Sequence, residues 1–360
     1  MIKYIGSKRV LIPELLRLIA GLKGVTSVVD LFSGTARVGH ALKERGYRVH
    51  SNDVLAFAAT FAMCYVETDL EDVEAEARSL IDEFNQLPGR PGYVHDTFAV
   101  ASRYFRPENA ARIDAIRAAI RAKSLEPRLE AVCLTALVEA ADRVDSTTGV
   151  QMAYLKQLAP RAERDLLLRM PAVLPNQGQA CSAQRREAIE VASELEADVY
   201  YLDPPYNQHS YLGNYHVWET IVLGDEPAHY GKACKRIDCR ERKSAFNHKA
   251  SAAAALAALL AKIRARYILV SFNDEGFLCE EQLLPMLRAH GRVDVARFSN
   301  TRYVGARIGI YNAAGTKVGR VGRLANEERI YVVECDADPL SCAIAAEADR
   351  PHHRTEAQLS

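Results

Sequence analysis

An α/β fold, an open sheet with crossover helices interrupted by a long, mainly helical insertion, is predicted by three features of this chain. Short β-rich runs alternate with helical stretches. One such run ends in a glycine-containing turn and another in two consecutive prolines. The 145 residues from 53 to 197 read mainly as helices, too long a stretch for a simple crossover.

Ser27 to Phe32 reads as a buried strand. It is followed by the turn Ser33-Gly34-Thr35 and a helix from about Ala36 to Arg45, which Gly46 closes in the left-handed conformation. Tyr47 to Asn52 is the second strand. Asp198 to Asp203 is another, stopped by Pro204-Pro205 because two prolines cannot continue a central strand. The alanine-rich residues Ala250 to Arg266 lead as a helix into a strand from Tyr267 to Phe272, with further strands near Val293 to Phe298 and Arg329 to Glu334. Within the long intervening stretch, Pro107 suits a first helical turn, and Ile113, Ile116 and Ile120 form an apolar stripe. The chain is expected back in the sheet near Glu196. This predicts a discontinuous domain of residues 1–66 and 190–335, an insertion of residues 67–189, and a frayed tail of residues 336–360.

At 360 residues, 49% hydrophobic and 8% aromatic, the chain can bury a full core, which excludes intrinsic disorder. No apolar run approaches the roughly 20 residues of a membrane span, and the first residues lack a signal-peptide core, so a cytoplasmic protein is expected. Eight cysteines spread along the chain do not resemble a disulfide framework. His229, Cys234, Cys239 and His248 are too loosely spaced for a structural zinc site, and no metal is expected. The formal charge, 46 basic against 46 acidic residues, argues against a nucleic-acid partner until its distribution is considered. Glu67 to Glu83 holds eight acids against Arg78 alone. Lys232 to Lys249 holds seven bases against Asp238 and Glu241, and Arg288 to Arg323 holds eight against Asp294. Basic segments interleaved with Tyr, Phe, Asn and Gly suit phosphate contact, with ordinary solvated loops as the alternative.

Two constellations carry chemistry. The first is Asp30-Leu31-Phe32-Ser33-Gly34-Thr35. A residue without Cβ at this strand-to-helix turn lets a ligand approach the backbone, and the helix N-terminus that follows favours an anionic group. Asp53 follows Gly34 by 19 residues, where doubly wound folds present an acid to ribose hydroxyls, so a nucleoside-containing cofactor fits. Gly34 to Gly39 is G-x4-G and not G-x-G-x-x-G, which disfavours NAD or FAD. A glycine that serves only the turn is the alternative. The second constellation is Asp203-Pro204-Pro205-Tyr206, at the strand end where open α/β sheets bind ligands. The Asp203 carboxylate and the Pro204 carbonyl can accept both N–H bonds of an adenine amine, whose lone pair is otherwise delocalised into its ring. Proline presets the direction of the carbonyl, and Tyr206 offers a flat face to a base that has left its duplex. A rigid turn with a surface tyrosine is the alternative.

These residues resemble the class α, Dam-like, adenine-specific DNA methylases, most closely the branch that includes methylases of FokI-type restriction-modification systems. The resemblance runs from the amino terminus to about Glu334. It rests on Tyr4-Ile5-Gly6-Ser7-Lys8, the Asp30 to Thr35 loop, Asp53 and the tetrapeptide, with the long insertion between cofactor loop and tetrapeptide. It implies a Rossmann-like, S-adenosylmethionine-dependent methyltransferase sheet whose insertion carries target recognition. It further implies methylation at N6 of an adenine flipped out of duplex DNA, in a restriction-modification system or by an orphan methylase. The implied cofactor contacts are Tyr4, Gly6, Ser7, Lys8, Asp30, Phe32, Ser33, Gly34, Thr35, Asp53 and Asp203.

Asn207, Tyr211, Asn214 and Tyr215 suit contact with a displaced base or its neighbours, or form a plain polar loop. Asn273 can line the same pocket or cap the next helix. Lys235 and Arg236, and Arg297, Arg302 and Arg307 around Tyr303, are candidate phosphate contacts, against ordinary exposed cations. A cognate restriction endonuclease and a second copy of the chain are candidate partners. An RNA adenine or guanine methyltransferase and a non-catalytic DNA-binding protein with a retained cofactor fold are the rival readings. The long insertion argues against the first and the intact Asp203 and Tyr206 against the second.

Overall fold

The computed structural model describes residues 1–152, 154–155, 157–301, 310–311, 317–319 and 325–335. Its strands are β1 (Ser27–Asp30), β2 (Arg48–Asn52), β3 (Ser182–Gln184), β4 (Val199–Leu202), β5 (His229–Tyr230), β6 (Lys235–Arg236), β7 (Tyr267–Asn273), β8 (Gly291–Thr301), β9 (Ile310–Tyr311), β10 (Lys317–Gly319) and β11 (Ala325–Cys335). Seven of them form one sheet in the order β3-β2-β1-β4-β7-β11-β8. Neighbours from β3 to β7 pair in parallel, and β11 runs antiparallel to both β7 and β8. The helices are α1 (Ile12–Ala20), α2 (Arg37–Glu44), α3 (Ala56–Ala62), α4 (Leu70–Gln86), α5 (Tyr93–His95), α6 (Pro107–Lys123), α7 (Pro127–Arg143), α8 (Ala188–Val191), α9 (Tyr211–Asn214), α10 (His216–Leu223), α11 (Ala252–Leu260) and α12 (Glu280–Arg288).

The central strands are apolar on both faces because helices cover both. Alternate residues divide between two apolar layers. Val28, Val199, Tyr201 and Leu269 face one, with Leu15, Leu42, Phe57, Ile116 and Trp218 of the covering helices. Val29, Tyr200, Leu202, Ile268 and Val270 face the other, with Leu256 and Leu259 of α11 and Leu283 and Leu287 of α12. Asp198 aligns β1 with β4: its carboxylate accepts hydrogen bonds from the backbone and hydroxyl groups of Thr26 and Ser27 at 2.8–3.1 Å. Those bonds outweigh the burial that opposes ionisation and hold its pKa at about 2.

Helices α4, α6 and α7 lie within residues 67–189, the stretch expected to be an insertion, and their apolar residues join the same layer as Val28. Pro107 takes the first position of α6, and Ile113, Ile116 and Ile120 are buried along its inner face. The acidic run forms the outer face of α4, where Glu71, Asp72, Glu76, Asp82 and Glu83 are exposed around a buried stripe of Val73, Ala77, Leu80, Ile81 and Phe84. No helix among the described residues is long and apolar enough to cross a membrane.

Two details differ from the sequence reading. The chain re-enters the sheet at β3, ahead of Glu196, because a three-residue edge strand of Ser, Ala and Gln carries no alternating apolar signal. The alanine-rich helix stops at Leu260, short of Arg266. Arg302, Tyr303, Arg307 and the tail from 336 to 360 lie outside the described residues.

Candidate active site

The segments that leave β3, β2, β1 and β4 at their carboxyl ends line a single cavity of about 530 Å³, within the range of small-ligand sites. In strand order they contribute Glu187 to Ile189, then Asp53 to Leu55, then Leu31 to Thr35, then Asp203 and Pro205. The amino-terminal arm adds Tyr4, Gly6, Ser7 and Lys8. Asp30, Phe32, Ser33, Gly34 and Thr35 face the cavity with Asp53, so every residue expected at a cofactor lines one space.

Local geometry explains how the turn after β1 is held. Gly34 has φ +53° and Ala36 φ +57°, two left-handed residues in a four-residue turn. The Gly34 N–H donates to Asp53 Oδ2 at 2.9 Å, and the Leu55 N–H donates to Asp53 Oδ1 at 3.0 Å. A Cβ on Gly34 would stand 3.3 Å from Cε1 of Tyr4, so the tyrosine ring is seated against the bare backbone. That ring lies between Tyr211 (5.3 Å, 11°) and Tyr215 (4.6 Å, 19°), and the Ile5 N–H donates to the Tyr215 hydroxyl at 2.6 Å. Two further polar atoms on the cavity wall, Ser7 Oγ and Ser33 Oγ, are buried without a hydrogen-bond partner among the described residues. Unpartnered hydroxyls beside a bare backbone turn are what a polar ligand would satisfy.

Three carboxylates converge here. Burial, reinforced by the charge of Asp203, pushes the Asp30 carboxyl up to about 7, although the Gly39 N–H donates to its Oδ2 at 3.2 Å. Burial likewise raises Asp53 to about 6, against the hydrogen bonds from Leu55 and Gly34. Asp203 is raised to about 6 by burial and by Glu328, with Lys8 opposing. Lys8 is only 6% exposed, and its Nζ stands 3.2 Å from Asp203 Oδ1 and 3.1 Å from Glu328 Oε2. Burial disfavours its charge, but the two carboxylates outweigh that and push its pKa above the ordinary lysine value. Asp203 Oδ1 is a buried acceptor whose neighbour on this side is the Lys8 ammonium.

Several residues expected at the target side are placed elsewhere. Asn214 (4% exposed) is buried, and its carbonyl accepts the Gln151 N–H. Tyr215 (1% exposed) buttresses Tyr4. Asn273 is buried at the end of β7 and accepts the Glu275 N–H. Arg236 (4% exposed) is clamped by Asp225 at 2.7 Å and Asp238 at 3.1 Å, which leaves it no free charge for a phosphate. Tyr206 is no surface tyrosine: it is buried against Phe272, and its ring centroid is 5.8 Å from Lys8 Nζ. Pro204 is buried beside it. Tyr211 lines the cavity, while Asn207, directly after the tetrapeptide, is half-buried. Lys235 is half-buried with Nζ against Met152 Sδ at 2.9 Å. Among the described residues, no group of three or more His, Cys, Asp or Glu side chains is gathered as metal ligands would be.

Sequence reasoning missed Glu328, Phe246 and the segment after β3, none of which stands near a motif. The one available signal was Phe246 in the basic run, read there as part of a phosphate surface.

Residues 4–282 match the family described as D12 class N6 adenine-specific DNA methyltransferase. Among curated proteins, the chain is similar to the type II methyltransferase M.FokI of Planomicrobium okeanokoites, with 33% identity over 84% of this chain and 49% of that protein. It is similar to the modification methylase StsI of Streptococcus sanguinis, with 29% identity over 84% of this chain and 48% of the relative. The type II methyltransferase M.NlaIII of Neisseria lactamica is 28% identical over 83% of this chain and 92% of its own length. The chain thus spans about half the length of the first two relatives and most of the third.

Proposed function

Since the chain belongs to the D12 class N6 adenine-specific DNA methyltransferase family, we propose that it transfers the methyl group of S-adenosylmethionine to N6 of an adenine flipped out of duplex DNA at a specific site. The observation that carries this reading is that Asp203, at the end of β4, lines the same cavity as Asp53 and the turn at Gly34. Modification and type II methyltransferases among the relatives support a role beside a restriction endonuclease, which we place in the cytoplasm. The insertion is proposed to read the target through surfaces other than the acidic face of α4, which would repel phosphates.

The residues present fit the cofactor. Ala188, Ile189 and Phe32 offer apolar wall to a purine, and the remaining lone pairs of Asp53 suit ribose hydroxyls. Asp30 and the unpartnered Ser33 hydroxyl suit the amino-acid end. When bound, S-adenosylmethionine supplies a methyl group activated by a sulfonium. Asp203 and the Pro204 carbonyl accept the two N–H bonds of the target amine and turn its lone pair outward. With a pKa of about 6, Asp203 is mostly ionised at neutral pH, as an acceptor must be, and is basic enough to hold the proton that the methylated amine sheds. Lys8, on the same cavity wall, holds the carboxylate in place by its charge.

The test is incubation of the full chain with labelled S-adenosylmethionine and either duplex DNA or RNA, together with methylation-sensitive sequencing of DNA from expressing cells. Label in duplex adenine is expected from the wild type and none from Asp203→Ala, which still binds cofactor. Label in RNA alone would replace the substrate, and a variant that marks every site would remove Asp203 from the chemistry.

A further inference from the structure

The basic run after β6 is folded back onto the cavity, where residues 241–247 form a strap along its wall. We propose that this strap belongs to the cofactor site, with Phe246 packing on the nucleoside end of the ligand and Asn247 passing the effect of binding to the loop after Tyr206. The proposal rests on the S-adenosylmethionine reading above.

The strap is stapled from within. Glu219 is fully buried; its carboxylate accepts the Phe57 N–H at 3.1 Å and is paired with Arg242 at 3.2 Å. A buried carboxylate persists only when paired and hydrogen-bonded, so Arg242 is committed to holding the strap, as Arg236 is to holding the strand before it. Phe246 meets Phe32 edge to face, with ring centroids 5.6 Å apart at 83°. Both rings are half-buried and both line the cavity. Such an apolar corner is completed by a flat ring, which removes the rest of both phenylalanines from water.

Asn247 makes the second connection. Its Nδ2 donates to the carbonyl of Asn207 at 2.8 Å and to that of His209 at 3.2 Å, which uses both hydrogens of one amide. The His209 N–H in turn donates to Asn207 Oδ1 at 3.0 Å. A ligand that fixes Phe246 therefore fixes its neighbour Asn247, and with it the backbone just beyond the tetrapeptide.

The experiment measures binding of S-adenosylhomocysteine by calorimetry and backbone hydrogen exchange at residues 208–211, with and without that ligand. Phe246→Leu keeps apolar volume and loses the ring, and its unfolding transition is checked against wild type. Its Kd is expected to rise roughly three- to ten-fold. In Asn247→Ala at saturating ligand, the slowing of exchange that the ligand causes in the wild type is expected to disappear. Undiminished affinity in Phe246→Leu would overturn the aromatic role, and full ligand-dependent protection in Asn247→Ala would overturn the coupling. A wild-type chain that does not bind S-adenosylhomocysteine would fail the cofactor reading itself, a result distinct from either.

Discussion

Lys8 Nζ stands 3.2 Å from Asp203 Oδ1, so one ammonium from the amino-terminal arm reaches the carboxylate at the end of β4. The same ammonium lies 3.1 Å from Glu328, which is 320 residues further along the chain. Two carboxylates share one buried cation, and the charge state of Asp203 is the balance between them. Tyr4, Asp30, Tyr201, Tyr206 and Tyr211 are the other titratable groups close enough to act on this trio.

Methyl transfer should fall as pH drops through about 6, since Asp203 must be ionised to accept the amine N–H bonds. Glu328→Gln removes a like charge and leaves Lys8 to Asp203 alone, so the acid limb should move to lower pH. Lys8→Met should move it to higher pH. Initial rates of methyl incorporation across the acid range check both, and a limb that stays in place in both variants would sink the assignment.

Asp30 carries a stability cost that depends on pH. Its folded pKa, about 7, lies above the value of about 4 expected of an unfolded aspartate. Its stabilising contribution is therefore complete below about pH 4 and is lost as pH rises through about 7. Asp30→Asn keeps an oxygen for the Gly39 N–H and removes the titration. The decline in melting temperature from acidic to mildly alkaline pH should shrink in the variant, by an amount on the order of 2–4 kcal/mol in unfolding free energy.

Gly39→Ala should destabilise the fold although alanine favours helices. A Cβ at this position in α2 would lie 2.8 Å from Ser51 Oγ and 2.8 Å from Val66 Cγ2. Overpacking of this kind costs about 1–3 kcal/mol, which exceeds the helix-propensity gain of about 1 kcal/mol at most of that range. A lower urea midpoint with an unchanged m-value is the expected result.

Arg236→Met should lower stability and leave the salt dependence of DNA binding alone. Loss of the clamp takes the guanidinium from Asp225, while Asp238 keeps Arg242 at 3.2 Å, so the cost is about 1–2 kcal/mol, less than for a fully buried pair because both aspartates reach water. A phosphate contact would instead reduce the slope of log K against log salt by about one. A reduced slope without loss of stability would contradict the placement of Arg236.

The sheet, its glycine turn and the strand that stops at Pro204-Pro205 are legible in the chain because periodicity and turn chemistry reside in neighbouring residues. The family resemblance then singles out the amino-terminal arm, Asp30, Gly34, Asp53 and Asp203. Which charges are spent and which remain available is decided only in three dimensions. Arg236 and Arg242 read as members of a phosphate-contacting basic run, yet Asp225 and Glu219, which lie outside that run, join Asp238 within it and consume them. Tyr206 reads as a flat face for a base or else a surface tyrosine, and only the fold sets it against Phe272 and near Lys8, while Glu328 has no local signature at all. Burial and pairing are contacts between segments far apart in sequence, and they set desolvation and Coulomb energies that no local pattern encodes.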